Sequence, residues 1–227
     1  FAHKILTGRD LTSLRQFRGV SGYTKPNEGD YFVAGHSSTS ISLLVGACKA
    51  IALKNEDKIP VALIGDGAMS AGMVYEALNE LGDKKYPCVI ILNDNEMSIS
   101  KNIGGLNKFL SKLRSKKLYK TTNVTAKKAL YKIPLIGELI VKLIQKIKRS
   151  IKPLIISKMY FEDIGFKYLG PVDGHNIEEL ESILKISKQI EEPVLIHVLT
   201  KKGKGYKIAE ENPDRYHATG PFKRKHL

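Results

Sequence analysis

The sequence predicts an α/β fold, a doubly wound parallel sheet with helices on both faces. Three observations carry that prediction. Residues 61–64 and 88–92 are short apolar runs with a helical pattern between them, the mark of a βαβ unit. Both runs stop abruptly in polar tripeptides, Gly65-Asp66-Gly67 and Asn93-Asp94-Asn95. The alternation recurs downstream: apolar runs at 166–169 and 193–199 flank Ile177, Leu180, Ile183, Leu184 and Ile186, spaced as one helical face. Crossovers between parallel strands are right-handed, so the first two strands lie side by side and point the same way. Asp66 and Asn95 then fall just past their carboxyl ends, the edge where open α/β sheets bind ligands.

The remaining elements follow in chain order. Residues 11–30 are polar and glycine-rich and read as loop with short helical turns. Residues 31–34 are expected as a short strand ending in Gly35-His36-Ser37-Ser38-Thr39-Ser40, whose hydroxyls are candidate caps for a helix over 41–53. That helix carries Gly46, Ala47, Ala50 and Ala52, small enough for close packing on the sheet. A second helix is expected over 71–81, with Ser70 as its cap, Met73, Ala77, Leu78 and Leu81 on its apolar face, and Gly82 as its terminator. Asn176 and Glu179 have the spacing of a capping box at a third helix. Asp173 and His175 read as bracing for the turn before it.

The chain has 227 residues, enough for one α/β domain. Its opening residues, Phe1 onward, read as mid-domain sequence, part of a longer polypeptide. The net charge of +14 is concentrated. Residues 101–160 hold fourteen Lys and two Arg against one acidic residue, Glu138, so the rest of the chain is almost neutral. Residues 104–158 are therefore expected as a basic insert, amphipathic from Pro134 onward, covering the domain or closing over its site. Few aromatics accompany the lysines, which argues against base stacking and nucleic acid. No apolar run reaches a membrane span and no secretory signal is visible, so a cytoplasmic protein without a membrane partner is expected. Cys48 and Cys88 lie in apolar surroundings and are expected as buried thiols. Residues 200–206, Thr-Lys-Lys-Gly-Lys-Gly-Tyr, are either a phosphate-holding run or a flexible basic loop. Residues 207–227 read as an exit linker.

The strand ends carry the chemistry. Asp66 and Asn95 offer hard oxygen donors, which suit Mg²⁺ or Ca²⁺ rather than zinc. Gly65 and Gly67 let backbone approach a ligand, and a helix start favours an anion. Together these point to a divalent metal holding a diphosphate. For Gly-Asp-Gly by itself an ordinary βα turn is an equal reading.

Asn95 follows Asp66 by 29 positions, and this pairing resembles the metal motif of thiamine-diphosphate enzymes. The phrases GDGAMSAGMVYEALN, NDNEMSIS, HKILTGR, GHSSTS and GPVDGHN are similar to those of the 1-deoxy-D-xylulose-5-phosphate synthase family, relatives of transketolase. The resemblance spans nearly the whole chain. It implies a transketolase-like, thiamine-diphosphate-binding domain over 1–227. It implies Mg²⁺ held by Asp66, Asn95 and the Met97 carbonyl, with Gly67 and Ala68 near the diphosphate of thiamine diphosphate. Gly35, His36 and Ser37 would line the thiamine site, joined by His3 and Tyr206, with His3 and His36 as proton-transferring residues. It further implies a homodimer acting on pyruvate and D-glyceraldehyde 3-phosphate. The family's glutamate that activates the cofactor belongs to a second domain outside these residues, so this chain by itself is expected to be inactive. The alternatives are another thiamine-diphosphate enzyme, such as a transketolase or a 2-oxo acid dehydrogenase α subunit, or a basic module binding nucleic acid or lipid.

Overall fold

The computed structural model describes residues 12–28, 30–97, 103–113 and 160–217. Four strands make one parallel sheet: β1 (Val61–Gly65), β2 (Cys88–Asp94), β3 (Lys167–Asp173) and β4 (Pro193–Leu199). Their spatial order is β1-β2-β4-β3. The expected βαβ unit is present, with Ile64 paired to Leu92 and Gly65 to Asn93. β4 joins the other side of β2, pairing Leu92 with His197 and Asp94 with Leu199.

Burial explains why the strands read as they do. The central strands β2 and β4 are buried on both faces and are near-continuous apolar runs. Edge strand β1 alternates, with Ala62 and Ile64 buried and Val61 and Leu63 exposed. One face is covered by α1 (Ser40–Lys54) and α2 (Gly72–Lys84), whose Leu44, Cys48, Val74, Leu78 and Leu81 join Ile64, Ile90 and Leu92 in the main core. On the other face, Leu180 and Ile183 of α3 (Ile177–Ser187) pack against Val89, Val172, Val194, Ile196 and Val198. Cys48 and Cys88 are both buried and unlinked.

Several local expectations are corrected. Residues 31–34 are not a sheet strand: Ala34 makes one antiparallel bridge to Thr24, and Tyr31 and Val33 are exposed. The run is too short and too solvated to join the parallel sheet. The hydroxyls before α1 do not cap it; Thr39 Oγ1 donates to the His36 carbonyl instead. In α1 the period of 3.6 turns Ile41, Leu44 and Cys48 inward, so Gly46, Ala50 and Ala52 face outward. In α2 Val74, rather than Met73, completes the buried face. Gly82 lies inside α2, which continues to Lys84 and ends at Lys85 in the left-handed conformation. The Asn176 cap is as expected: its Oδ1 accepts from Glu179 N at 3.2 Å, and Glu179 Oε2 accepts from Asp173 N at 3.3 Å.

Of the basic insert, helical residues 105–113 are described, and Leu110 and Leu113 are buried in the main core beside Phe161. The rest of the insert, residues 114–158, lies outside the described residues, as does His3. Residues 207–211 of the expected linker form a short helix, α4 (Lys207–Glu211), with Ala209 buried. No helix among the described residues is long and apolar enough to cross a membrane.

Candidate functional site

The site grows from the carboxyl ends of β1 and β2. β1 hands directly to Asp66, which is only 5% exposed. Its backbone N–H donates to the Asn93 carbonyl at 3.1 Å, so the turn after β1 is tied to β2. Gly67 then opens a 3-10 turn, Ala68–Ser70, pinned by the buried Met69. Ser70 does not cap α2 as expected. Its Oγ donates to the Gly67 carbonyl at 2.8 Å, and neither this turn nor α2 has a side-chain cap.

At the end of β2, Asp94 is buried with its carboxylate fully engaged. Oδ1 accepts from Glu96 N at 3.1 Å and Oδ2 faces His197 Nε2 at 2.8 Å. Its carbonyl accepts from Thr200 N at 2.9 Å, and Thr200 Oγ1 donates to Asn93 Oδ1 at 2.6 Å. Glu96 adopts φ of +66°, a turn conformation that non-glycine residues rarely take. That turn folds Asn95 back so that its Oδ1 accepts from Met97 N at 3.1 Å.

The two rims meet. The Asp66 carboxyl lies against the Asp94 carboxylate and close to the backbone N–H groups of Gly67 and Glu96. Burial, and then the neighbouring Asp94, push Asp66 up to about 6. A buried carboxyl facing a second carboxyl is a place where a cation is welcome, since its charge relieves both penalties. The donors present fit a hard divalent ion: one carboxylate, the Asn95 amide oxygen with a lone pair beyond its bond to Met97, and backbone carbonyl. Among the described residues, no three His, Cys, Asp or Glu side chains converge as a metal cage. A metal here would need oxygens from a bound phosphate, as Mg²⁺ commonly does. A Cβ placed on Gly65 would meet nothing within 4 Å, so there is room beside the rim.

Asn95 and Met97 also line a 380 Å³ cleft with Asp94, Thr200, Lys201, Lys202 and Glu210. Residues 200–206 make several local contacts. Lys201 pairs with Glu210, whose Oε1 also accepts from Gly205 N at 2.9 Å. These contacts, Lys201 first, hold the Glu210 carboxyl below its ordinary range. Lys201 N donates to His175 Nε2 at 2.8 Å, and Asp173 Oδ1 accepts from His175 N at 2.9 Å, the bracing expected of that pair. Lys202 Nζ lies 2.7 Å from His217 Nδ1. Tyr206 is half-buried at the start of α4, edge-on to Tyr216 at 5.8 Å. Gly35, His36 and Ser37 form an exposed loop ahead of α1, with His36 Nδ1 2.9 Å from the Ser37 carbonyl. They are not part of the cleft wall that holds Asn95.

Sequence reasoning missed Asp94, Thr200 and His197. Asp94 is the middle residue of a tripeptide whose last member took the attention. His197 had a visible signal, one histidine inside the otherwise apolar run 193–199.

The fold is a parallel α/β domain similar to that of transketolase. The solved structure of transketolase from Campylobacter jejuni matches 86% of this chain and 26% of its own length, with a TM-score of 0.53 and 21% identity. The family described as 1-deoxy-D-xylulose-5-phosphate synthase matches residues 1–200. The synthase of that name from Campylobacter fetus is 55% identical over 229 residues, 99% of this chain and 38% of the relative. That from Nitratiruptor sp. is 56% identical over 226 residues, 98% of this chain and 37% of the relative. The chain belongs to the 1-deoxy-D-xylulose-5-phosphate synthase family. It spans about 37% of the length of these curated relatives.

Proposed function

We propose that this chain is the metal- and diphosphate-binding part of a thiamine-diphosphate-dependent transferase. That enzyme condenses pyruvate with D-glyceraldehyde 3-phosphate, giving 1-deoxy-D-xylulose 5-phosphate and carbon dioxide, and works as a homodimer in the cytoplasm without nucleic-acid or membrane partners. The observation that carries the reading is the buried Asp66 carboxyl packed against the turn that presents Asn95 and Met97. Asp66, the Asn95 amide oxygen and the Met97 carbonyl would hold Mg²⁺, and the backbone of Gly67 and Ala68 would approach the diphosphate. Thiamine diphosphate, when bound, supplies the electron sink that decarboxylation needs. The residues of this chain would fix its diphosphate end through metal and backbone, which limits how the cofactor can be oriented. His36, and His3 from the segment before it, would manage protons, a role an imidazole can fill because it can both donate and accept. Tyr206 would lie near the bound cofactor.

The test is calorimetry on the full chain. Asp66→Ala abolishes Mg²⁺-dependent binding of thiamine diphosphate; unchanged affinity overturns the metal assignment. The 227 residues by themselves release no carbon dioxide from pyruvate, and turnover by this polypeptide would refute that half of the proposal.

A further inference from the structure

A buried relay of three side chains crosses the sheet from β3 through β4 to the rim of β2. We propose that His197 and Tyr168 are positioning residues for the metal-binding turn 94–97 and act on it through Asp94. The inference rests on the reading of Asp66, Asn95 and Met97 as the metal site.

His197 is wholly buried, Asp94 is 1% exposed and Tyr168 is 7% exposed. Polar groups this deep are costly unless each donor finds an acceptor. Here they do. His197 Nε2 lies 2.8 Å from Asp94 Oδ2, and His197 Nδ1 lies 2.7 Å from Tyr168 Oη. A carboxylate only accepts, so Nε2 carries a ring proton, and in the neutral imidazole Nδ1 accepts the Tyr168 hydroxyl proton. The hydroxyl stays protonated, since burial, and then the Asp94 charge, push its pKa above the ordinary value. With the neutral imidazole, donation runs from Tyr168 to His197 to Asp94.

The far end of the relay is what matters. With Oδ2 held by His197, Asp94 turns Oδ1 to the Glu96 N–H at 3.1 Å. That bond holds Glu96 in its left-handed conformation, between the two residues that offer Asn95 Oδ1 and the Met97 carbonyl. A conformation of this kind persists only where the surroundings over-determine it. The relay also sets where the Asp94 carboxylate sits against Asp66. Outer partners that orient metal ligands are worth about 10–100-fold in metal affinity.

Mn²⁺ is the probe, titrated into the full chain with saturating thiamine diphosphate while free Mn²⁺ is read by electron paramagnetic resonance. His197→Ala weakens Mn²⁺ binding about tenfold or more, the scale of such outer contacts. His197→Gln, whose amide donates to Asp94 again, recovers most of that loss. Tyr168→Phe removes one hydroxyl and weakens binding by a smaller factor. A loss in His197→Ala that His197→Gln does not recover marks a packing role and overturns the inference. Wild-type affinity in His197→Ala and Tyr168→Phe, while Asp66→Ala loses Mn²⁺, overturns the relay and leaves the metal site standing. Wild-type affinity in Asp66→Ala removes the metal site and the inference together. Should His197→Ala not fold, Tyr168→Phe decides: weakened binding supports the relay, and unchanged binding overturns it.

Discussion

If Asp66 holds the proposed metal, folding and binding want opposite things of it. Its carboxyl is raised to about 6 by burial and by Asp94, so the metal-free fold prefers it protonated. Between the ordinary carboxylate value and about 6, the folded state holds a proton that the unfolded chain has lost. Stability of the metal-free protein therefore falls as pH rises through that window and stays lower above it. A shift of this size corresponds to about 2–3 kcal/mol at neutral pH. Asp66→Asn removes that cost and can still hydrogen-bond Asp94. In EDTA at pH 8 the variant should melt several degrees higher than the native chain, with the gap closing at pH 3.5. Added Mg²⁺ and thiamine diphosphate should stabilise the native chain but not the variant. Equal melting in EDTA at both pH values would show that the Asp66–Asp94 contact is not strained. A site that costs stability when empty is common where function needs a charge in a dry place.

At the scale of elements, α2 shows how a misread residue can be informative. Gly82 reads in sequence as a helix terminator, yet it is buried in the last turns of α2. A Cβ there would stand 1.8 Å from the Ile164 carbonyl oxygen, and one on Gly165 would stand 2.6 Å from the Gly82 carbonyl. Lys85 Nζ donates to the Gly165 carbonyl at 2.7 Å and closes the contact. Helix and incoming β3 turn thus touch backbone to backbone. Gly82→Ala gains about 0.5–1 kcal/mol of helix propensity. It loses about 1–3 kcal/mol to overpacking against atoms that cannot move aside. The loss wins, so chemical denaturation should show a variant weaker by about 1–2 kcal/mol; a neutral result would mean that the turn at Ile164 yields freely. The same contrast separates what was legible in the sequence from what was not. β2 and β4 were legible because a strand buried on both faces must be apolar throughout, and Asp66 and Asn95 stood out because each follows an apolar run. Gly82, the hydroxyls that failed to cap α1, and Val74 in place of Met73 depend on which neighbour arrives from elsewhere in the chain. His197 meets Tyr168 across 29 positions and Asp94 across 103, distances that no local pattern reports.

The whole molecule is covered unequally, and that inequality can be measured. One face of the sheet carries α1 and α2 across β1 and β2. On the other, α3 covers the strands from β3 to β2 and leaves β1 bare among the described residues, with Val61 57% and Leu63 64% exposed. Ile64, the next residue, is 3% exposed in the main core. Neighbours in sequence, on opposite faces of one strand, should therefore differ sharply in what truncation costs. Ile64→Ala leaves a cavity among Leu44, Leu78, Ile90 and Leu92 and should cost about 2–4 kcal/mol. Leu63→Ala removes atoms already in water and should stay within about 0.5 kcal/mol, as surface changes do. Urea unfolding of the 227-residue chain and its two variants reads both numbers. A Leu63→Ala cost approaching that of Ile64→Ala would mean that this face of β1 is covered after all. The outcome bears on function as well, because β1 delivers Asp66 to the rim. Its register is set by Ala62 and Ile64 inside the core and by pairing with β2, so Asp66 should keep its place beside Asp94 in Leu63→Ala and lose it in Ile64→Ala. Metal-dependent cofactor binding by the two variants in the full chain should accordingly stay level in the first and fall in the second.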